Sequence, residues 1–284
     1  MRKVARAMFR SPVSSSRRGI AIGIIGAGTM GQALIRGLLA QGIARRTLRA
    51  ADPDARKRRQ VSRSFRIRTE ADNGRVARAS EIVILAVKPQ QVPDVVPRLA
   101  PHLTRRHLVI SIVAGIPLRW LQARLPGVPL VRVMPNLPAT VGAGFAAMVP
   151  GRTATARHRR IARAVFEAVG EVVELPERFF DAVTAVSGSG PAYVFFLAQA
   201  WEAAARSLGL PEAVAAQAIR QTLDGSVRLL RGAAIPVAAL IGRVASKGGT
   251  TEAALRILAR RRVAAAFIEA LRAAARRSRE LSRS

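Results

Sequence analysis

The stretch Ile22-Gly23-Ile24-Ile25-Gly26-Ala27-Gly28-Thr29-Met30-Gly31 constrains this chain more than any other. A short apolar run is followed at once by three glycines spaced Gly26-x-Gly28-x-x-Gly31, and then by Ala33, Leu34, Leu38 and Leu39 at helical spacing. That order predicts a buried strand, a tight turn and a helix, with Gly42 at the helix end. In such a unit the first glycine makes the turn, and the second lets the backbone approach a pyrophosphate. The third lets the helix pack close to the strand, so that free N–H groups and the positive end of the helix dipole face the phosphates. The spacing alone also occurs in purely structural turns. The strand before it and the helix after it favour a dinucleotide site.

The residues that follow extend this unit. Leu48-Arg49-Ala50-Ala51 predicts a second strand ending at Asp52, which lies 21 residues after Gly31. A carboxylate that binds the cofactor ribose is expected there, roughly 20 residues on. Such a carboxylate favours NAD because it repels a 2′-phosphate, yet Arg56, Lys57, Arg58 and Arg59 follow at once and could neutralise that phosphate. On the residues alone the preference stays open. The plainer alternative is that Asp52-Pro53-Asp54 caps a helix with a basic face. Asp72-Asn73 predicts another cap, and Ile82–Val87 a strong strand with Lys88-Pro89 just past it. Further strands are expected at Leu108–Val113, Leu130–Met134 and Val172–Leu175, with helices opening at Pro117 and covering Ile161 to Val169. Alternating strands and helices imply a parallel, doubly wound sheet. Ligands of such sheets sit beyond the carboxyl ends of the strands. The glycine turn, Asp52, Ala86–Pro89 and Met134-Pro135-Asn136 should therefore converge on one crevice.

From Phe179 the texture changes to alanine-rich helical segments, expected at Pro191–Leu208, Pro211–Leu229, one ending near Val244, and one from Thr251 to about Leu281. Their apolar residues are too many for a solvent-facing bundle of this size, which implies helices buried in a subunit interface. Two polar turns interrupt them, Ser187-Gly188-Ser189-Gly190-Pro191 and Ser246-Lys247-Gly248-Gly249-Thr250-Thr251. Each is expected to present backbone N–H groups at a helix start, a geometry that holds carboxylates as well as phosphates.

Composition removes several function classes. No apolar run of about 18 residues is present, so no membrane span is expected. Without cysteine there are no disulfides, thiolate chemistry or cysteine zinc sites, and a reducing, cytoplasmic setting is compatible. His102, His107 and His158 lack ligand spacing, so no metal site is expected. The net charge of +30 comes from 47 basic against 17 acidic residues, almost all of the cations being arginine. With so much alanine this reads as composition bias. Nucleic-acid binding is disfavoured because few aromatics accompany the cations. A positive field would still favour anionic cofactors and substrates. Residues 1–19 read as a basic leader expected to be disordered, and the end from Arg276 as a helix fraying into solvent.

Taken together the motifs resemble those of the pyrroline-5-carboxylate reductases. The resemblance runs from about residue 20 to 281. It is carried by Ile25-Gly26-Ala27-Gly28-Thr29-Met30, Ala86-Val87-Lys88-Pro89, Arg132-Val133-Met134-Pro135-Asn136, Ser187 to Tyr193, and Gly248-Gly249-Thr250-Thr251-Glu252-Ala253-Ala254. It implies an α/β Rossmann-type domain over 20–177 and an all-α domain over 178–284 that binds substrate and interlocks with its mate. A homodimer, or a ring of dimers, is implied. The implied reaction is reduction of 1-pyrroline-5-carboxylate to L-proline by NADPH, with NADH the alternative cofactor. Reduction of another cyclic imino acid is the runner-up. By the family's pattern Gly26, Gly28, Thr29, Met30, Gly31 and Asp52 hold the cofactor. Ala86, Val87, Lys88 and Pro89 line it, Met134, Pro135 and Asn136 lie near its nicotinamide end, and Asn73 matches an asparagine near the 2′-phosphate. The substrate falls to Lys88, Gly248, Gly249, Thr250 and Thr251. The N–H groups of Gly249, Thr250 and Thr251 would hold its carboxylate, and the Thr251 hydroxyl would lie near the imine nitrogen. A protonated imine is already electrophilic, so orientation carries most of the chemistry and no histidine–carboxylate pair is needed. The chain departs from the pattern at Lys247, where proline is usual, and at Leu137, Gln199, Ile241-Gly242, Ala259 and Arg262. Lys247 is expected to point to solvent.

Overall fold

The computed structural model describes residues 19–282, so the expected leader lies outside it except for Gly19. The described chain forms two compact units. One comprises residues 19–188 with 275–282, and the other is Ser189–Ala274. The junction expected at 177/178 falls inside the first unit.

The first unit is a sheet of eight strands: β1 (Ile22–Ile25), β2 (Leu48–Ala51), β3 (Arg68–Glu70), β4 (Ile82–Leu85), β5 (Leu108–Ser111), β6 (Leu130–Pro135), β7 (Gly144–Pro150) and β8 (Gly170–Glu174). Their order is β3-β2-β1-β4-β5-β6-β7-β8. The first six are parallel, and Ile24 sits between Ala50 and Ile84 in register. β7 then runs antiparallel to β6, and β8 parallel to β7. The sheet is thus parallel from β3 to β6, as expected, with one antiparallel pair at its far edge. The cause is chain length: only residues 136–143 join β6 to β7, whereas a parallel crossover needs a dozen residues or more.

Helices cover both faces: α1 (Thr29–Ala40), α2 (Ala55–Phe65), α3 (Asn73–Arg78), α4 (Val92–Leu99), α5 (Leu118–Arg124) and α6 (Ala156–Glu167). Because both faces are covered, β1, β4 and β5 are buried at every position. One face packs Ile22, Ile24, Leu34, Leu38 and Phe166 together, and the other packs Ile25, Leu85, Val96 and Leu121. The strand order reverses between β1 and β4, so the crevice at their carboxyl ends is the switch point where such sheets take ligands.

Beyond β8, α7 (Phe180–Val183) runs through a π-helical turn at residues 184–188 into α8 (Gly190–Ser207). The turn expected at Ser187–Pro191 is made by the last residues of this π stretch and a bend at Ser189, and α8 starts at Gly190 with Pro191 in its first turn. Gly188 has a packing reason, since a Cβ there would lie 2.9 Å from Met134 Cε.

The second unit adds α9 (Glu212–Gly232), α10 (Val237–Val244), α11 (Thr250–Arg260) and the start of α12 (Val263–Leu281). The single helix expected from Thr251 is broken at Arg262, whose φ of 54° lies in the left-handed region. The unit's own core is small, just Ala205, Ala215 and Ile219 with Ala198 and Leu223 against them. Large apolar side chains stay on its surface, among them Phe196 (72% exposed), Leu229 (71%) and Val244 (70%). This is the excess of unburied apolar surface anticipated for interface helices.

The end of α12 does not fray as expected. Ser278 is buried and its Oγ donates to Asp181 Oδ1 at 2.8 Å, while Leu281 lies against Gly115. No helix among the described residues is long and apolar enough to cross a membrane.

Candidate dinucleotide site and helix-end donors

The three glycines of the turn have three different environments. Gly26 adopts φ +103°, and a Cβ there would lie 2.5 Å from the Ala86 carbonyl oxygen, so the turn presses against the end of β4. A Cβ on Gly31 would lie 2.3 Å from the Gly26 carbonyl oxygen. Both glycines are demanded by the protein's own packing. Gly28 is not: a Cβ there meets nothing within 4 Å. It is the N-cap of α1, and no side chain caps that helix end. A glycine that the protein does not need, at an uncapped helix start, fits the close approach of a phosphate.

Asp52 braces this turn from the end of β2. It is 6% exposed; Oδ2 accepts from the Ala27 N–H at 3.0 Å and Oδ1 from the Asp54 N–H at 2.9 Å. Capping of α2 falls to Asp54 instead, whose Oδ1 accepts from the Arg56 N–H at 2.7 Å. That bond is the main cause holding the Asp54 carboxyl below its ordinary range. Beside the turn lies a cleft of about 640 Å³ whose lining includes Gly28, Thr29, Arg36, Lys57 and Gln60. Its cationic side chains suit the charge of a pyrophosphate. Arg36 and Gln60 escaped the sequence reading. Arg36 sits on the face of α1 that starts at Thr29, so the spacing of four from Gln32 was a usable signal.

The other expected cofactor residues take these places. Ala86 and Val87 are half-buried just past β4, and the Ala86 N–H donates to the Ile25 carbonyl at 2.8 Å. Lys88 and Pro89 are exposed, and the Lys88 N–H donates to Gln91 Oε1. Asn73 opens α3 behind its cap Asp72, whose carboxyl is held low chiefly by the Gly74 N–H. Met134 packs against Gly188, and Pro135 pairs with Ala146 in the sheet. The side chain of Asn136 is committed within the protein. Its Oδ1 accepts from the Phe145 N–H at 2.9 Å, and its Nδ2 donates to Ser187 Oγ at 3.1 Å. It thereby ties the end of β6 to the start of β7 and to the π turn.

In the second unit the Ser246–Thr251 segment is a tight turn with Gly248 at φ +74°. The Gly249 N–H donates to the Ser246 carbonyl at 3.0 Å, and the Gly248 N–H to the Glu252 carboxylate. Of the N–H groups expected to hold a carboxylate, that of Gly249 is turned inward. Those of Thr250 and Thr251 open α11, where no side-chain cap is made. Thr251 is half-buried, while Lys247 is exposed.

Comparisons with known proteins place these features in a common setting. A family profile described as pyrroline-5-carboxylate reductase dimerisation matches residues 177–281, and one described as NADP oxidoreductase coenzyme F420-dependent matches residues 21–115. A pyrroline-5-carboxylate reductase of Synechocystis sp. is 40% identical over 93% of this chain and 99% of its own length. One of Pseudomonas aeruginosa is 40% identical over 92% of this chain and 96% of its own. Among solved structures, a pyrroline-5-carboxylate reductase of Coxiella burnetii superposes with a TM-score of 0.85 at 33% identity, covering 93% of this chain and 99% of that one. The Plasmodium falciparum pyrroline carboxylate reductase, solved with NADP bound, also gives 0.85, at 28% identity, over 93% of this chain and 98% of that one.

Proposed function

Because the chain belongs to the pyrroline-5-carboxylate reductase family, we propose that it reduces 1-pyrroline-5-carboxylate to L-proline with NAD(P)H, the closing step of proline biosynthesis. The observation that carries this reading is the reach of the likeness, which spans both the glycine turn and the Gly248–Thr251 helix start. When bound, the cofactor supplies the hydride. The uncapped N–H groups from Gly28 to Gly31 hold its pyrophosphate at the positive end of α1. Gly26 and Gly31 keep the turn tight, and Asp52 fixes the turn and flanks the ribose. Asn73 serves the adenosine end. Ala86, Val87, Lys88 and Pro89 line the cofactor, and Met134, Pro135 and Asn136 shape the ground under its nicotinamide. Asn136 does so as a positioning residue, through its bonds to Phe145 and Ser187.

For the substrate, the N–H groups of Thr250 and Thr251 hold the carboxylate, with Gly248 and Gly249 giving the turn its shape and Lys88 adding positive charge. The Thr251 hydroxyl lies toward the imine nitrogen, its oxygen accepting from the N–H of the protonated imine. Its role is to orient, since a hydroxyl is a poor acid. We place dinucleotide binding in residues 20–177, and substrate binding with dimerisation in 178–284. The dimerisation profile covers nearly all of the latter part, and the apolar surface of α8 to α11 supports a homodimer. A ring of dimers and a cytoplasmic location complete the reading.

The test is direct. Purified protein mixed with pyrroline-5-carboxylate and NADPH or NADH should lose nicotinamide absorbance and form proline; no oxidation with either cofactor sinks the proposal. Higher kcat/KM with a six-membered cyclic imino acid would favour the runner-up substrate.

A further inference from the structure

The basic run after β2 does not act as one cationic patch, because its four side chains go to different places. Arg58 is turned back onto the loop, where Nη1 donates to the carbonyls of Asp52 and Pro53, both at 2.8 Å. Arg56 and Arg59 are exposed and take no part in lining the cleft beside the glycine turn. Lys57 does line it, together with Gly28 and Thr29. Its Nζ lies 3.9 Å from Asp52 Oδ2, the oxygen that accepts from the Ala27 N–H.

This arrangement addresses the cofactor preference that the residues alone left open. A carboxylate at the end of the second strand is where the adenosine ribose is read. Standing alone, Asp52 would repel a 2′-phosphate. With the Lys57 ammonium beside it, the pair is close to neutral, and a cation faces any phosphate that approaches the ribose position. Asp52 also has little freedom to turn away, because both of its oxygens accept from backbone N–H groups.

We infer that Lys57 is the specificity-determining residue that makes a 2′-phosphorylated cofactor acceptable, and that Asp52 acts as a brace of the glycine turn whose charge Lys57 offsets. The inference rests on the dinucleotide reading above and goes further by naming the residue that chooses between the two cofactors. Removing the cation uncovers Asp52 and shifts the site toward the unphosphorylated ribose.

The experiment is calorimetric titration of the full-length protein with adenosine 2′,5′-bisphosphate and, separately, with adenosine 5′-monophosphate. Lys57→Glu should weaken the bisphosphate about tenfold or more and leave the monophosphate within about twofold, since the change acts on one phosphate. Lys57→Arg should keep the wild-type difference, and that difference should shrink at high salt because the Lys57 side chain is half-exposed. Equal losses for the two probes, or no loss for either, overturn the inference while leaving the dinucleotide site in place. A wild-type protein that binds neither probe overturns the dinucleotide reading itself.

Discussion

Replacing Gly28 and Gly31 by alanine, one at a time, separates a glycine kept for a ligand from a glycine kept for the fold. At Gly31, inside α1, alanine would ordinarily gain about 1 kcal/mol of helix propensity. Its Cβ would however sit 2.3 Å from the Gly26 carbonyl oxygen and 3.2 Å from Ile24 Cγ2. The first contact is with backbone, so α1 must move off β1, and overpacking of that kind costs roughly 1–3 kcal/mol and more where the backbone is fixed. The clash wins, and a net loss of about 2 kcal/mol is expected. At Gly28 the same Cβ meets nothing, and φ −74° with ψ −172° suits alanine. Stability should fall by less than about 1 kcal/mol, the ordinary range for an N-cap change. Cofactor binding should respond the opposite way. Holding the pyrophosphate off Gly28 weakens two or so charge-assisted bonds of roughly 1.5–3 kcal/mol each, so NADPH affinity should drop about a hundredfold. The assays are denaturant melts at one protein concentration and a fluorescence titration with NADPH. A Gly28→Ala protein that binds NADPH like wild type, or that unfolds as readily as Gly31→Ala, refutes the assignment of these roles.

Other perturbations reach different parts of the molecule. Thr251→Ala should lower kcat/KM about tenfold, the worth of one hydrogen bond, with NADPH affinity unchanged; an unchanged kcat/KM removes Thr251 from the mechanism. His158 accepts from the Thr155 N–H through Nδ1, and burial, with Arg157 nearby, holds its pKa below 6.5. The folded protein therefore binds fewer protons there than the unfolded chain. Stability should fall as pH drops below 6.5 until the folded pKa is passed, and His158→Gln should remove that part of the pH dependence in thermal melts. Arg262→Gly should stabilise by about 0.5–1 kcal/mol, because relief of a left-handed residue, roughly 1–2 kcal/mol, exceeds the added chain entropy of glycine. A lower melting temperature for that variant, at equal protein concentration, would contradict the reading.

The strands that form the sheet's centre were legible because each is a run of apolar residues bounded by polar ones, as in Ile82–Leu85. β3 was not, since Arg68-Thr69-Glu70 has no apolar signal and is placed by its neighbour Arg49-Ala50-Ala51. β7 was missed as well, although its direction would have followed from the short connection after β6. In the site, the spacing of Gly26, Gly28, Gly31 and Asp52 could be read directly, since a turn and the next strand end are local features. The bonds of Asn136 could not. Phe145 and Ser187 come to it from different elements, and nothing in Met-Pro-Asn announces them. Likewise the Ser187–Pro191 glycines marked a turn at a helix start, but not the Met134 side chain that requires Gly188, which arrives from β6.

The return of residues 275–282 to the first unit has a consequence for how the chain is made. On a ribosome the sheet can collapse as soon as β8 has emerged, but Asp181 and Gly115 then wait for Ser278 and Leu281. Those partners appear only after every residue from Ser189 to Ala274 has been synthesised. Domains usually fold as units, in the order in which they emerge. Here the later unit must be complete before the earlier one is fastened. A stalled or truncated nascent chain would carry a formed sheet with its clasp missing, and so could be told from the finished protein by anything that probes Asp181.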